Sequence, residues 1–188
     1  MSKHTYKKGD IFELIPLAQG GDTKALEALI RRVQKQIYAM FSHLTDKKSD
    51  ISDLTQETLL KMAKSLPTLR EVKHFKTWLN RIVTNVFYDY ARKNSDKFVD
   101  FDMEKLNEIK DKIGCEPGER CLFSEIEKLI KAALMTLPQN LRITLVLREY
   151  EGLSYEDISK ITNTTLGTVK SRISRARLKL QEELKEFI

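Results

Sequence analysis

The sequence predicts an all-α protein: two small helical modules joined by a flexible acidic linker. Three observations carry this. Apolar residues recur at steps of three and four almost throughout, and no run alternates with period two. Glycine and proline are scarce, 7 and 4 among 188 residues, so little interrupts the helical pattern. Charge is segmented: residues 1–93 sum to +7, residues 94–120 to −3 and residues 121–188 to +2, within a total of +6.

Each element follows from a local signal. In the first module, residues 1–93, a helix is expected over about 23–44, capped by Asp22 or Thr23. Leu26, Leu29, Ile30, Val33, Ile37 and Phe41 give it a packing stripe. A polar break over 45–52 follows. The next helix begins near Ser52 and ends before Pro67. A loop over 67–75 leads into "KTWLNRIVTNVFYDYARK", where Trp78, Ile82, Val86 and Tyr90 step by four as a packing stripe. Residues 94–121 have few helix signals and read as the linker. The second module, residues 122–188, opens with a helix from near Phe123 that stops at Pro138. Another stops at Gly152.

The rest of that module predicts a helix-turn-helix. Ser154 caps a short helix to about Ile161, with Glu156 and Asp157 in the first turn, where negative charge suits the dipole. "TNTT" is a tight polar turn, and a second helix starts at Leu166. On it Leu166, Val169, Ile173, Ala176 and Leu180 fall within an arc of about 80° and must pack inward. The opposite face carries Gly167, Ser171, Ser174 and Leu178, flanked by Thr168, Lys170 and Arg175. Residues 166–180 hold five basic side chains and no acidic one. Short polar groups and Arg suit base edges, and Lys and Arg suit phosphates, so this face is that of a major-groove reader. Arg172, Arg177 and Lys179 lie nearer the stripe, toward phosphate or solvent. The plain alternative is a solvated basic helix.

The first module carries a different signature. Arg81, Asn85, Tyr88 and Arg92 share one face, with Trp78 at its edge and Arg70, Lys73, His74, Phe75 and Lys76 just upstream. Aromatic rings among cations suit single-stranded or melted nucleic acid, because rings stack on exposed bases while cations follow the backbone. The alternative is that the rings are core, which is the reading for Phe87. On "DLTQETLLKMAKSL", Asp53, Gln56, Glu57 and Leu60 stand at i, i+3, i+4 and i+7, a face suited to docking on another protein's helices.

The totals bound the function. A pI near 9.2 points to a polyanionic partner. There is no signal-peptide pattern and no apolar run of the roughly 20 residues a membrane span needs, so a cytoplasmic protein without membrane insertion is expected. Cys115 and Cys121 are then reduced thiols, and their spacing is not that of a standard zinc pair. No glycine-rich phosphate loop, metal cluster or Ser/His/Asp set is visible. No catalytic residue, metal or cofactor is expected, and the chain does not read as an enzyme.

Together these stretches resemble the extracytoplasmic-function (ECF) sigma factors, a group of the bacterial sigma-70 family. "DLTQETLLKMAKSL" resembles their region 2.2. "FKTWLNRIVTNVFYDYARK" resembles regions 2.3 to 2.4, with the "TWL-RI--N" frame at Thr77 to Asn85. "LPQNLRITLVLREYEGLSYEDISKITNTTLGTVKSRISRARLKL" resembles region 4, with "LSYEDIS" and "GTVKSRISRAR" its most diagnostic blocks. The resemblance spans about 23–182 apart from the linker. It implies binding to core RNA polymerase. Asp53, Gln56, Glu57 and Leu60 would dock on the clamp of the largest subunit, and the second module would reach the flap of the second largest. It implies that the −10 promoter element is melted and a base captured by the loop from Leu69 to Phe75, with Arg70, Lys73 and His74, and by Trp78, Arg81 and Asn85. It implies duplex reading of the −35 element by Thr168, Lys170, Ser171, Arg172, Ser174 and Arg175, and control by an anti-sigma protein. Two departures stand out: the loop "LREVKHF" is atypical, and Thr58 follows "QE" where an aromatic or apolar residue is common. The competing reading is a helix-turn-helix repressor or activator whose N-terminal module dimerises. It leaves the aromatic-basic helix unused.

Overall fold

Helical spacing becomes helix over most of the residues that the computed structural model describes, 10–94 and 119–185. The eight α-helices among them are α1 (Ile11–Gln19), α2 (Thr23–Ser42), α3 (Lys48–Ser65), α4 (Phe75–Lys93), α5 (Glu119–Thr136), α6 (Gln139–Glu149), α7 (Tyr155–Thr162) and α8 (Leu166–Leu184). Short 3-10 turns at Leu66–Thr68 and Val72–His74 join α3 to α4. No strand occurs among the described residues. Most of the linker and Cys115 lie outside them, as does the Cys121 side chain.

α1 is not foreseen by the sequence reading. It is short and contains Pro16, which removes a helical N–H. Tertiary burial holds it nonetheless: Leu14 and Ile15 are fully buried, and Asp10 caps the start by accepting from the Phe12 amide at 3.3 Å. α2 is capped by Asp22, whose carboxylate accepts from the amides of Lys24 and Ala25 at 2.9 and 3.1 Å. Its inward face is Ala25, Leu29, Val33, Ile37, Met40 and Phe41, with Leu26 and Ile30 at the margin. α3 starts four residues before Ser52, at Lys48, with Asp50 in its first turn and Ile51 already buried. In α4 the buried apolar residues are Phe75, Leu79, Val83, Val86, Phe87 and Ala91. Trp78, Ile82 and Tyr90 of the expected stripe sit at the edge of that face. The buried arc is wide because α3 packs on one side of α4 and α7 on another.

In the second module α5, α6, α7 and α8 form the helix-turn-helix and its support. α5 begins at Glu119, inside the stretch read as linker. Ser154 caps α7, accepting from the Asp157 amide at 3.0 Å and donating to the Asp157 carboxylate at 2.8 Å. α7 ends at Asn163, a left-handed residue with φ 51°. Asn takes this conformation more readily than branched residues. Thr165 then caps α8 through the Thr168 amide at 3.2 Å. Val169, Ile173 and Ala176 are buried and Leu180 partly so, whereas Leu166, in the first turn, remains exposed.

The two modules do not stand apart. Their apolar residues form one continuous core, from Leu14 and Phe87 to Val146, Ile158 and Ile173. α7 and α6 lie against α4.

Candidate nucleic-acid interface

The reader helix α8 is placed by its stripe. Burying Val169, Ile173 and Ala176 against α6 and α7 turns Lys170, Ser174 and Arg175 outward, all exposed. Thr168 and Ser171 are half-buried beside them, and the Ser171 hydroxyl donates to the Thr168 carbonyl at 3.0 Å. Nothing but the Thr165 hydroxyl, 3.8 Å away, would meet a Cβ added at Gly167, so the outer surface of the first turn is open. Arg172 is half-buried and points elsewhere. Its guanidinium lies beside the Tyr88 hydroxyl of the first module. Burial pushes that phenol upward, and the nearby guanidinium partly offsets the effect. Arg177 is held by Glu149 of α6, with Nη2 to carboxylate at 2.5 Å.

Around the α3–α4 connection the structure divides the candidates. Arg70, Lys73, His74, Arg81 and Asn85 are exposed and Trp78 is half-buried. Lys73 and His74 both approach Glu71, at 2.7 and 3.6 Å, and Lys73 holds that carboxyl below its ordinary range. Leu69 and Phe75, expected to face DNA, are instead core, 7% and 5% exposed. The 3-10 turn at Val72–His74 feeds straight into α4 and turns Phe75 inward, with its ring 5.8 Å from that of Trp78. The backbone here is fixed by a residue the sequence reading passed over. Gln19 at the end of α1 donates to the carbonyls of Leu66 and Leu69, at 2.9 and 2.8 Å. A side-chain amide 47 or more positions away leaves no periodic trace in sequence.

Farther along α4, a cleft of about 810 Å³ is lined by Lys61, Lys64, Asn85, Tyr88, Arg92 and Gln139. Asn85 alone among these is one of the expected −10 residues. Lys61 and Lys64 of α3 add cations that the pattern within α4 could not supply. On α3 itself Asp53, Gln56, Glu57 and Leu60 are all exposed on one face, with Leu60 at 61%. Glu57 pairs with Lys61 at 2.8 Å. Thr58 points the other way and is fully buried.

Among the described residues no group of three His, Cys, Asp or Glu side chains is placed to hold a metal ion. No described helix is long and apolar enough to cross a membrane.

Comparison with known proteins gives these surfaces a context. Residues 29–97 match the family model "Sigma-70 region 2", and residues 127–180 match "Sigma-70, region 4". The chain is 32% identical over 181 residues to the ECF RNA polymerase sigma-E factor of Haemophilus influenzae, covering 93% of this chain and 95% of that one. It is 31% identical over 185 residues to the RNA polymerase sigma-H factor of Pseudomonas aeruginosa, covering 94% of each. Its fold superposes with a TM-score of 0.65 on the sigma factor RpoE of Bartonella quintana, solved in complex with the anti-sigma factor NepR. That match has 29% identity and covers 88% of this chain and all of the other.

Proposed function

The chain belongs to the ECF group of the sigma-70 family, and from that membership we propose how its surfaces share the work of transcription initiation. It is an RNA polymerase sigma factor, which binds the core enzyme and directs it to promoter DNA. We assign residues 1–93 to core binding and −10 recognition, residues 94–121 to the linker, and residues 122–188 to −35 recognition. In the first module, Asp53, Gln56, Glu57 and Leu60 form the docking face for the clamp of the largest polymerase subunit. Arg70, Lys73, His74, Trp78, Arg81 and Asn85 take the melted −10 strand. In the second, Thr168, Lys170, Ser171, Arg172, Ser174 and Arg175 read the −35 duplex, and the module's contact with polymerase is the flap. Leu69 and Phe75 shape the −10 loop from beneath. Bond making and breaking belong to the polymerase, and the working compartment is the cytoplasm. By analogy with the Bartonella protein, an anti-sigma protein is a further partner.

The observation that carries this reading is α8: five basic and no acidic side chains over residues 166–180, on a helix capped and presented by a helix-turn-helix. Its test is a pull-down of the purified protein with bacterial core RNA polymerase, then runoff transcription on genomic fragments. Core binding with new, promoter-dependent start sites is expected. Duplex binding without any core binding would transfer the protein to the repressor or activator class.

A further inference from the structure

One acid stands alone in the basic surface assigned to the melted −10 strand. From Thr58 to Tyr88, Glu71 is the single carboxylate, against six Lys and Arg side chains. It is exposed, so the core does not account for it. A negative charge at this place repels phosphate and lowers affinity for every strand alike. Backbone binding would be better served without it. Base reading is different, because a carboxylate distinguishes donors from acceptors on a base edge.

The geometry fits that second use. The loop backbone is fixed on both sides of Glu71. Gln19 holds the Leu66 and Leu69 carbonyls, and the Glu71 carbonyl accepts from the His74 amide at 3.0 Å. The carboxylate is held as well. Its Oε2 lies 2.7 Å from Lys73 Nζ and 3.6 Å from His74 Nε2. Both contacts fall on the same oxygen. Oε1 meets no donor among the described residues, and the side chain is 56% exposed. The pair therefore presents a free acceptor, Oε1, beside a donor, Lys73. The pairing edge of cytosine offers the complement: its N4 amine donates and the neighbouring N3 accepts. Thymine carries a carbonyl oxygen, O4, in place of that amine, and two acceptors set against each other repel. His74 adds a flat ring beside the carboxylate, on which a displaced base can stack. We propose that Glu71 is a base-reading residue of the −10 loop, whose free Oε1 accepts from the exocyclic amine of the captured base and selects cytosine over thymine. The role rests on assigning this loop to the melted −10 strand, and adds to it both a reader and the base it reads.

Cytosine and thymine share one ring size and differ chiefly in the exocyclic group, so the pair isolates this contact. The test uses holoenzyme rebuilt from the full chain and bacterial core polymerase. The probe is a forked DNA from a promoter found by runoff transcription, with a duplex −35 part and a single-stranded −10 part. Each −10 position in turn carries cytosine, thymine or uracil. For the parent, one position should bind cytosine about tenfold more tightly than thymine. Uracil, which lacks the thymine methyl, should bind there as thymine does, because the amine is what is read. Glu71→Gln keeps the size and adds a donor, so it should bring cytosine and thymine within about twofold of each other. The −35 preferences of the same variant, scanned on the duplex part, should not move, which separates base reading from a general loss of fold. Equal binding of the two bases at every position, uracil binding as cytosine does, or a cytosine preference that survives Glu71→Gln would each overturn the proposal. So would a uniform rise in affinity with the ranking of bases kept, since Glu71 would then only temper its cations. Arg70→Ala with Lys73→Ala tests the loop assignment separately. If that variant binds every strand as the parent does, the loop is not at the −10 site, and the reading falls with the proposal. If it binds weakly while Glu71→Gln keeps the cytosine preference, the reading stands and the proposal alone fails.

Discussion

Thr58 shows how a single residue can sit against its surroundings. Its hydroxyl is fully buried on α3 and has no hydrogen-bond partner, at the position where an apolar side chain is common in the family it resembles. A buried hydroxyl without a partner keeps its desolvation cost and gains nothing in return. Thr58→Val keeps the shape and removes that cost, so stability should rise by about 1 kcal/mol, read from the midpoint of urea unfolding. A fall in stability would mean that the hydroxyl is satisfied in solution. Arg175 is the opposite case, an exposed side chain with no structural duty visible in the fold. Arg175→Ala should leave unfolding within about 0.5 kcal/mol of the parent. It should weaken discrimination at one −35 base pair by about 1–3 kcal/mol. Runoff transcription on a set of single-base −35 variants measures this, and equal loss on every template would point to a phosphate contact instead. Arg142 lies between these extremes. It reads in sequence as one more helix cation. In the structure it is buried, and it donates to the carbonyls of Met135 and Leu137 at 2.6 and 2.9 Å as well as to Leu44. Burial lowers its pKa to about 10, which leaves it charged at neutral pH. Its role depends on carbonyls at helix ends that only the fold brings together.

At the scale of elements, the helices were readable because burial imposes a period on sequence, and the caps were readable because orphan amides need particular side chains. Asp22 and Ser154 cap as expected. What periodicity does not report is which flank of a stripe lies deepest, since that depends on how many neighbours a helix has. α4 has neighbours on two sides, so its buried face extends past the Trp78–Tyr90 row and takes in Phe75. α3 and α8 keep free outer faces, and predictions about them are correspondingly simple. Gln56→Lys with Glu57→Lys alters only exposed positions of α3. It should weaken capture by core polymerase about tenfold or more, by placing like or unpaired charge in the interface, without moving the melting transition. Unchanged capture would remove these residues from the docking face. Gly167 in the first turn of α8 tests close approach. The space around it is open in the free protein, and Ala is a better helix former. Gly167→Ala should therefore add roughly 0.5–1 kcal/mol of stability. If the turn enters a groove, the added methyl should also reduce duplex affinity. Higher stability with undiminished affinity would place the groove contact farther along the helix.

For the whole molecule, the packing of the two modules on each other was invisible in sequence for a physical reason. Its ties join residues 115, 75 and 71 positions apart, through side chains that each look like ordinary surface residues. The packing also places a titratable ring at the boundary. His43 ends α2, its Nδ1 bonds the Ala39 carbonyl at 2.7 Å, and its ring lies on Tyr150. Burial lowers its pKa from 6.5. The Ala39 carbonyl and Glu127 oppose that shift, and Lys131 reinforces it. Lys131 and Glu127 pair with each other at 2.9 Å on α5, and burial pushes the Tyr150 phenol further above its ordinary range, away from this window. The sign follows from proton counting. In the unfolded chain His43 is hydrated and titrates near its ordinary value, so below pH 6.5 the unfolded chain holds more protons than the folded one. The contribution of His43 to stability is therefore complete above 6.5. It declines as pH falls through 6.5 toward the lower value of the folded state. The midpoint of urea unfolding should fall on acidification through this window. His43→Phe keeps a ring on Tyr150 without a titrating group, and should make the midpoint less sensitive to pH across the same range. A variant whose midpoint falls just as the parent's does would show that His43 packs at the boundary without governing the pH dependence.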